Sequence, residues 1–342
     1  MSDRRKWLIV AIAAALALTM TSIVGVFAWR QHEARAAAPA LVDTAPAGSI
    51  ATGERIVFRN TAPGAGYGHV ASVPLADPSG TRSVDRLVCD RVDATAEELS
   101  CLRIERGIVP SYSATLYAWT GERLQEWPLP GIPSRTRLSV DGSILATTAF
   151  VTGHSYATIG FSTETVIRSS HGESLGNLEE WTLLIDGAPT TALDRNFWGV
   201  TFDGDTAFYA TAALTASGTT YLVRGDVASR TLTALAENVE CPSLSPDGSR
   251  IAFKRVTAGS GPGVQWTPAI YDLVTGEVSL LPESRSVDDQ IMWLDDNTIL
   301  YGMPRPGAVG DSDVWALAAD GSGDPRLFIE HAWSPAVIRE GT

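Results

Sequence analysis

The chain has 342 residues, 44% hydrophobic and 19% charged, a composition that excludes a wholly disordered protein. Its 31 glycines and 19 prolines are scattered along the chain and indicate frequent turns rather than long helices. The formal net charge of −13 would repel a phosphate backbone, so nucleic acid is excluded as the expected partner.

The N-terminal segment has the length and composition of a membrane span. Residues 7–29 carry no charge, and as a helix they would be roughly 34 Å long, enough to cross the hydrocarbon core. Three basic residues precede them: Arg4, Arg5 and Lys6. The positive-inside rule therefore keeps residues 1–6 in the cytoplasm and places the rest outside. We expect an uncleaved signal-anchor in the cell membrane and an extracytoplasmic body.

Two alternatives concern the same segment. Residues 36–38 are all alanine and offer a cleavage site for a secretory signal, although such a signal usually has a shorter apolar core; the body would then be secreted. The two arginines also suggest a twin-arginine export signal, against which the long apolar core argues. In every case the body is exported. Residues 30–52, rich in Ala, Pro and Gly, are expected to form a solvated linker.

The three cysteines suit an oxidising compartment. Cys89 and Cys101 lie twelve residues apart. If the residues around them, 87–89 and 101–104, form paired strands, a disulfide closes one hairpin and adds about 2–3 kcal/mol. Two unpaired buried thiols are the alternative. Cys241 has no Cys or His near it in sequence and is expected to be a buried structural thiol.

A repeated phrase organises the rest of the chain. Its clearest copy covers residues 242–254, and related copies surround Asp141, Asp203 and Asp295. Each copy is a short strand, a tight turn at Asp-Gly or Asp-Asp-Asn, and a second strand, which is a strong hairpin signal. The anchor aspartates, at 141, 203, 247 and 295, are 62, 44 and 48 residues apart. A period in the forties is typical of four-stranded propeller blades.

Counting strands outward from these anchors predicts a six-bladed, all-β propeller over residues 53–342. Five units are expected at about 84–134, 135–195, 196–240, 241–290 and 291–333. Residues 54–83 supply too few strands for a sixth, and residues 333–338 look like the missing inner strand. Closure by the two chain ends would remove exposed sheet edges. No long amphipathic helical pattern follows residue 35, which argues against a parallel α/β sheet.

The phrase Ser-Pro-Asp-Gly-x-x-Ile-Ala-Phe at 245–253, followed by Ile-Tyr-Asp-Leu-x-Thr-Gly at 270–276, resembles the repeat of TolB-type six-bladed β-propellers. This WD40-like or PD40 repeat also occurs in relatives of prolyl oligopeptidase. One unit matches closely, three match loosely, and residues 54–134 hardly match. With its N-terminal anchor, the whole chain resembles exported actinobacterial proteins known as TolB-like translocation proteins. The resemblance implies a propeller that binds proteins or ligands, and implies no catalytic set or cofactor.

The residues that carry chemistry do not assemble into a catalytic or metal site. Ser155 stands in Gly-His-Ser-Tyr-Ala, close to a nucleophile elbow, but an elbow needs a strand leading into a helix, and the flanks here are β-like. No two of the histidines beyond the membrane segment have the sequence spacing of metal ligands: His69, His154, His171 and His331. Complete calcium loops are absent, and residues 311–313 and 203–205 match only fragments of one and are expected to be solvated turns. Residues 259–263 lack the lysine and the helix of a phosphate loop and are expected to be a flexible connection. No metal or cofactor is expected.

The topology of a propeller nevertheless suggests where a ligand would bind. Connections between blades reach one rim of the central channel, and aligning the repeats on the anchor aspartates brings charged and aromatic residues there. These rim candidates are Arg135, Asp194, Arg195, Asn196, Trp198, Glu240, Asp288, Asp289, Gln290 and His331. Arg137 belongs to the same ring. A solvated rim held by ion pairs is the alternative.

The sequence therefore favours a non-catalytic module of the cell envelope, tethered to the membrane, that binds a protein, a peptide or another envelope component. One alternative is a six-bladed propeller enzyme such as a lactonase-like hydrolase, which requires a metal or a nucleophile. The other is a sensor or stabilising subunit of a membrane complex, with the anchor helix as its contact.

Overall fold

The computed structural model describes residues 3–39, 41–45, 53–107, 109–151 and 162–339. One helix, α1 (Asp3–Ala36), opens the chain, and its segment Arg4–Arg30 is long and apolar enough to cross a membrane. A secretory signal passes the same test of length and composition. The helix continues past Trp29 to Ala36, so residues 30–36, expected in the linker, are helical.

The strands form six sheets within the described residues, here called blades 1 to 6. Blade 1 begins with β1 (Thr44–Ala45), β2 (Arg55–Asn60), β3 (His69–Pro74) and β4 (Arg82–Val88). Blade 2 contains β5 (Arg91–Ala94), β6 (Glu98–Glu105), β7 (Ser111–Ala118) and β8 (Arg123–Pro128). Blade 3 contains β9 (Ile132–Leu138), β10 (Ile144–Val151), β11 (Ser162–Ser169) and β12 (Ser174–Asn177).

The second half of the ring is built in the same way. Blade 4 contains β13 (Thr182–Ile185), β14 (Ala188–Pro189), β15 (Arg195–Asp203), β16 (Ala207–Leu214), β17 (Thr219–Asp226) and β18 (Thr231–Glu237). Blade 5 contains β19 (Glu240–Leu244), β20 (Arg250–Ala258), β21 (Gln265–Asp272) and β22 (Val278–Leu280). Blade 6 contains β23 (Met292–Asp295), β24 (Thr298–Pro304), β25 (Ser312–Ala318) and β26 (Arg326–Ile329), and β27 (Ala332–Ile338) follows it.

The two ends of the propeller meet in blade 1. β27 pairs antiparallel with β2, with Val337 opposite Ile56, so the last strand completes the first sheet. The innermost strands contact one another in the order β27, β5, β9, β15, β19 and β23, and β23 contacts β27 again. The ring is therefore closed, and the prediction of a six-bladed propeller is confirmed.

Two blade borders differ from those expected. β4 ends at Val88 and pairs with β3, so residues 82–88 belong to blade 1 rather than to the unit at 84–134. In blade 4, β13 pairs in parallel with β18 at the outer edge, and β14 pairs with β13. This insertion before β15 accounts for the 62-residue interval between Asp141 and Asp203, which exceeds the other two.

The core lies between neighbouring blades, where alternate residues of the strands point into a shared apolar layer. Trp181 and Phe208 pack edge to face with ring centroids 5.6 Å apart, and both are buried. Gly225 on β17 lies against the Phe208 ring, where a Cβ atom would come within 2.2 Å of it. A glycine is therefore required at this strand position to admit the ring.

The chain before the propeller is attached to blade 1. β1 pairs in parallel with the outer strand β4, and the backbone nitrogen of Arg82 donates to the carbonyl of Asp43 at 3.0 Å. Seven residues lie between Ala36 and Thr44, and the eight Cα–Cα steps, at about 3.5 Å each, span at most roughly 28 Å. Blade 1 therefore cannot move far from the end of α1.

Candidate binding site in the central channel

Side chains from distant blades meet inside the channel. Arg135 on β9 of blade 3 pairs with Asp289, just before β23 of blade 6, with 3.4 Å between Nη2 and Oδ1. Gln290 reaches from blade 6 to blade 4, where its Nε2 donates to the carbonyl of Val200 at 3.2 Å. A cavity of about 20 Å³, the size of one water molecule, lies beside these three side chains. We call Arg135, Asp289 and Gln290 the cross-channel plug, because they divide the channel into two mouths.

One mouth opens into a cavity of about 520 Å³. Its wall consists of the C-terminal ends of the six innermost strands and the turns that follow them, so every blade contributes. Apolar side chains supply much of this wall: Phe202, Met292, Trp293 and Val337. Trp293 is buried, and its Nε1 donates to the carbonyl of Ser243 at 2.8 Å. The volume lies within the range of roughly 300–1,000 Å³ that small-molecule and cofactor pockets have.

A buried ion pair lies at the base of this cavity. Arg137 Nη1 is 3.4 Å from Asp93 Oδ1, and the backbone nitrogen of Leu138 donates to Asp93 Oδ2 at 2.7 Å. Burial raises the pKa of Asp93 above its ordinary value, although the charge of Arg137 opposes this shift. Arg137 also contacts Met292 Sδ across the channel at 3.6 Å, and among the described residues its Nε has no hydrogen-bond partner. Contacts among blades 2, 3 and 6 therefore hold the base of the cavity.

The repeated Asp-Gly turns form part of the lip of the cavity. Ser245 Oγ donates to Asp247 Oδ1 at 2.6 Å, and the backbone nitrogen of Ser249 donates to the same oxygen at 3.0 Å. These hydrogen bonds lower the pKa of Asp247 to about 2. Gly248 follows with a φ of 71°, which a side chain would strain. The turn at Asp141 has the same bonds, so the repeated phrase is explained by turn capping.

Five of the rim candidates gather at the opposite mouth: Arg135, Glu240, Asp288, Asp289 and Gln290. Lys254, buried on β20, connects them, with Nζ 2.7 Å from Asp288 Oδ1 and 4.5 Å from the ring centroid of Trp266. Trp266 Nε1 donates to Glu240 Oε1 at 3.1 Å. Burial lowers the pKa of Lys254, but the charges of Asp288 and Glu240 reverse this effect, and the pKa lies above its ordinary value. The lysine is therefore charged at neutral pH.

Four other rim candidates lie in blade 4 or just before it and bond within the fold. Arg195 donates to two backbone carbonyls in the connection before β13. Asn196 accepts from the backbone nitrogen of Thr163 at 2.9 Å, which ties blade 4 to blade 3. Asp194 accepts from the loop after β16, and Trp198 is buried in β15. The polar groups of the first three stabilise the fold rather than line an open rim.

His331 also does not line an open rim, because it is 4% exposed. It lies between blades 6 and 1, where its Nδ1 is 2.8 Å from Asp311 Oδ2. Its backbone nitrogen donates to Asp313 Oδ1 at 2.8 Å, and its carbonyl accepts from Arg82 Nη1 at 3.1 Å. These contacts support the closure of the ring.

The positions predicted from the repeats do not include the cavity, nor Arg59, Arg91, Lys254 and Trp333 at the opposite mouth. These predicted positions lie upstream of the anchor aspartates, whereas the cavity lies at and just beyond the ends of the inner strands. Arg91 was missed because blade 2 has no Asp-Gly turn after its inner strand, so the alignment did not reach it. Lys254 and Trp333 were missed because they lie within strands. The C-terminal end of the inner strand recurs in every blade, and this recurrence is the signal in the sequence that could have located the cavity.

Cys89 and Cys101 form a disulfide, with 5.4 Å between their Cα atoms. The hairpin expected around them is wrong, because Cys101 on β6 lies opposite Val92 on β5. Cys89 lies in the connection from blade 1 to blade 2, so the disulfide links this connection to the second strand of blade 2. Cys241 is a buried free thiol, and burial raises its pKa.

The described residues contain no group of three or more His, Cys, Asp or Glu side chains that could hold a metal ion. His69 Nδ1 lies 2.7 Å from the carbonyl oxygen of Asp85 inside blade 1. Ser155 and His154, at the segment compared with a nucleophile elbow, lie outside the described residues.

No family model matches the chain, and no curated protein matches its sequence. The crystal structure of TolB from Acinetobacter baumannii is similar with a TM-score of 0.56 and 19% identity, over 83% of this chain and 66% of that one. A puromycin-hydrolysing peptidase from Mycobacterium tuberculosis has a TM-score of 0.51 and 12% identity, over 82% of this chain and 44% of that one.

At these identities the likeness establishes architecture and not activity. The match spans slightly less than two thirds of the TolB chain and less than half of the peptidase chain. The chain therefore has the six-bladed β-propeller fold seen in TolB, preceded by one apolar helix.

Proposed function

We propose that the chain is a membrane-tethered propeller that binds a short segment of a protein partner in the 520 Å³ cavity. The observation that carries this proposal is the shape of the cavity, which all six blades surround and the cross-channel plug closes at its base. A concave, largely apolar wall with a few fixed polar groups is the usual composition of a binding pocket. The resemblance to TolB-type propellers supports a binding role.

The closed base restricts the form of the bound segment. Because Arg135, Asp289 and Gln290 bridge the channel, a chain cannot pass through it. The segment enters and leaves by one mouth, so we infer a chain terminus or a tight loop. Its apolar side chains would pack on Phe202 and Trp293, and an acceptor group would approach the guanidinium of Arg137, which lines the cavity.

The proposed place of action is the outer side of the cell membrane. α1 would anchor the chain, with its basic N-terminal end in the cytoplasm. The Cys89–Cys101 disulfide supports an oxidising compartment, because disulfides are rare in the cytosol. The linker strand β1 would then hold the propeller near the membrane surface.

The experiment compares capture of a partner by two variants, each of which has one exposed valine replaced by tryptophan. Val140 is 64% exposed at the lip of the cavity, and Val274 is 87% exposed in an outer turn of blade 5 that does not line it. Crosslinking in intact cells should yield one dominant protein with the wild-type chain and with V274W, and at least fivefold less with V140W. Equal capture by both variants would overturn the proposal.

An enzymatic role is the competing proposal, because the fold is shared with part of a peptidase. Metal analysis of the purified full chain provides its test. Stoichiometric Ca²⁺ or Zn²⁺ would favour a metal-dependent hydrolase over the binding module.

A further inference from the structure

Two arginines at the mouth opposite the cavity form no ion pair within 4.0 Å with another described residue. Arg91 begins β5 and is partly buried, and its guanidinium carbon lies 5.2 Å from the ring centroid of Trp333. Arg59, on the neighbouring strand β2, stacks on Tyr67 at 4.9 Å. Neither arginine belongs to an ion pair within 4.0 Å among the described residues. We call Arg59, Arg91 and Arg135, with Trp333, the basic mouth.

The nearest carboxylates of the basic mouth already have partners. Asp289 accepts from the backbone nitrogen of Gly302 at 3.0 Å and pairs with Arg135. Asp288 pairs with Lys254. Asp90, whose charge also acts on Arg91, pairs with Arg106 at 3.1 Å, and Glu240 accepts from Trp266 Nε1 at 3.1 Å. The carboxylates around Arg91 are therefore engaged by groups other than Arg59 and Arg91.

The position of Arg91 is fixed by packing beneath it. Trp333 lies against Gly302, where a Cβ atom would come within 2.5 Å of the indole ring and 2.7 Å of Asp289 Oδ2. The missing side chain lets the indole and the carboxylate lie side by side, and the guanidinium of Arg91 rests over the indole. Burial, together with the nearby charge of Arg135, lowers the pKa of Arg91 to about 9, so it is charged at neutral pH.

We propose that the basic mouth binds an oxyanion, the carboxylate or phosphate group of a small ligand, through the guanidinium of Arg91 with Arg59 beside it. A planar guanidinium presents two parallel N–H donors that match the oxygens of either group. Stacking on Trp333 holds the plane of the donors in advance, which reduces the entropy lost on binding. The plug separates this site from the cavity, so this proposal stands independently of the proposed function.

The experiment uses the purified full chain in a detergent with an uncharged headgroup. Calorimetric titration with inorganic phosphate and with succinate, at constant ionic strength in chloride, distinguishes the two sources of the oxyanion. The variants are R91Q and R91K, and the matched control is R326Q, because Arg326 is an exposed arginine stacked on Phe328 at 4.9 Å. Thermal melts of each variant establish that it is folded.

We expect binding of at least one of the two anions by the wild-type chain and by R326Q. R91Q should weaken it about tenfold or more, the loss expected for a charge-assisted hydrogen bond. R91K keeps the positive charge but lacks the planar guanidinium. Its affinity for the anion should therefore lie between those of R91Q and the wild-type chain. Two results would overturn the proposal: equal affinity in R91Q and R326Q, or no saturable binding of either anion to the wild-type chain.

Discussion

Arg135 of blade 3 and Asp289 of blade 6 lie on opposite sides of the ring and form an ion pair across the channel, with 3.4 Å between Nη2 and Oδ1. The side chains are 14% and 3% exposed. Asp289 also accepts a hydrogen bond from the backbone of β24, so the carboxylate is held from both sides. This pair makes the cavity blind and separates it from the basic mouth.

Removal of one partner of this pair should destabilise the propeller strongly. D289A leaves the charge of Arg135 buried and unpaired, so the free energy of unfolding should fall by about 3–5 kcal/mol. The double variant R135M/D289A should recover part of that loss, because no uncompensated charge is left. Urea denaturation of the full chain in detergent provides the measurement.

The control for this prediction is an exposed ion pair. Arg123 and Glu126 are 61% and 45% exposed, so E126A should change the free energy of unfolding by about 0–1 kcal/mol. If D289A and E126A have the same effect, the bridge across the channel contributes nothing to stability.

The disulfide should be the only one in the native chain and should stabilise the border between blades 1 and 2. The described structure pairs Cys89 with Cys101 and leaves Cys241 free. Alkylation of the denatured, unreduced chain should therefore add one group, and alkylation after reduction should add three. Replacing both paired cysteines by alanine should lower the free energy of unfolding by about 2–3 kcal/mol. Three groups added without reduction would contradict the pairing.

The turn at Asp247 should make stability depend on pH below 4. Its pKa is lowered from 3.8 to about 2, chiefly by the hydrogen bond from Ser245, so its contribution is complete above pH 4 and is lost as the pH falls through 2. At pH 7, D247N keeps the Oδ1 acceptor but loses the charge and the hydrogen bond that Ser249 Oγ donates to Oδ2. It should lower the melting temperature by roughly 2–4 °C, for a loss of about 1 kcal/mol. The difference from wild type should narrow between pH 4 and pH 2.5.

Asp205 offers the matched control for this turn, since it is exposed in the corresponding turn of blade 4. D205N should leave the melting temperature within about 1 °C at every pH. A difference between D247N and wild type that persists unchanged to pH 2.5 would contradict the capping role.

Topology can be tested with single cysteines in a chain that carries C241S. A membrane-impermeant maleimide added to intact cells should label S79C, because Ser79 is exposed in a turn of blade 1 and the propeller is expected outside. It should not label D3C until the cells are opened. Labelling of D3C alone would place the propeller in the cytoplasm.

The architecture could be predicted from the sequence because the repeated turns are stabilised by hydrogen bonds between residues close together in the chain. Ser245 and Ser249 cap Asp247 through bonds that span only a few residues, so the phrase can be recognised without the fold. The closing pair of Ile56 and Val337 followed from counting strands. Each of these features depends on periodicity or on neighbours in the chain.

The candidate site could be predicted only in part, because its contacts join residues far apart in sequence. Alignment of the repeats brought Arg135 and Asp289 to one mouth, although nothing local indicates that they pair across the channel. The same alignment placed His331 there, whereas the side chain is buried between blades and hydrogen-bonds with Asp311. The cavity arises from six strand ends together, and no single segment carries a signal for it.

Photo-crosslinking from the lip of the cavity tests most directly whether a partner segment binds there. A photoreactive phenylalanine analogue in place of Val140 should form an adduct in intact cells with a terminus or loop of one partner, identified by mass spectrometry, and the same analogue at Val274 should not. Both positions are exposed, at 64% and 87%, so accessibility alone does not separate them. Adducts of the same pattern at both positions, or none at Val140, would contradict binding in the cavity.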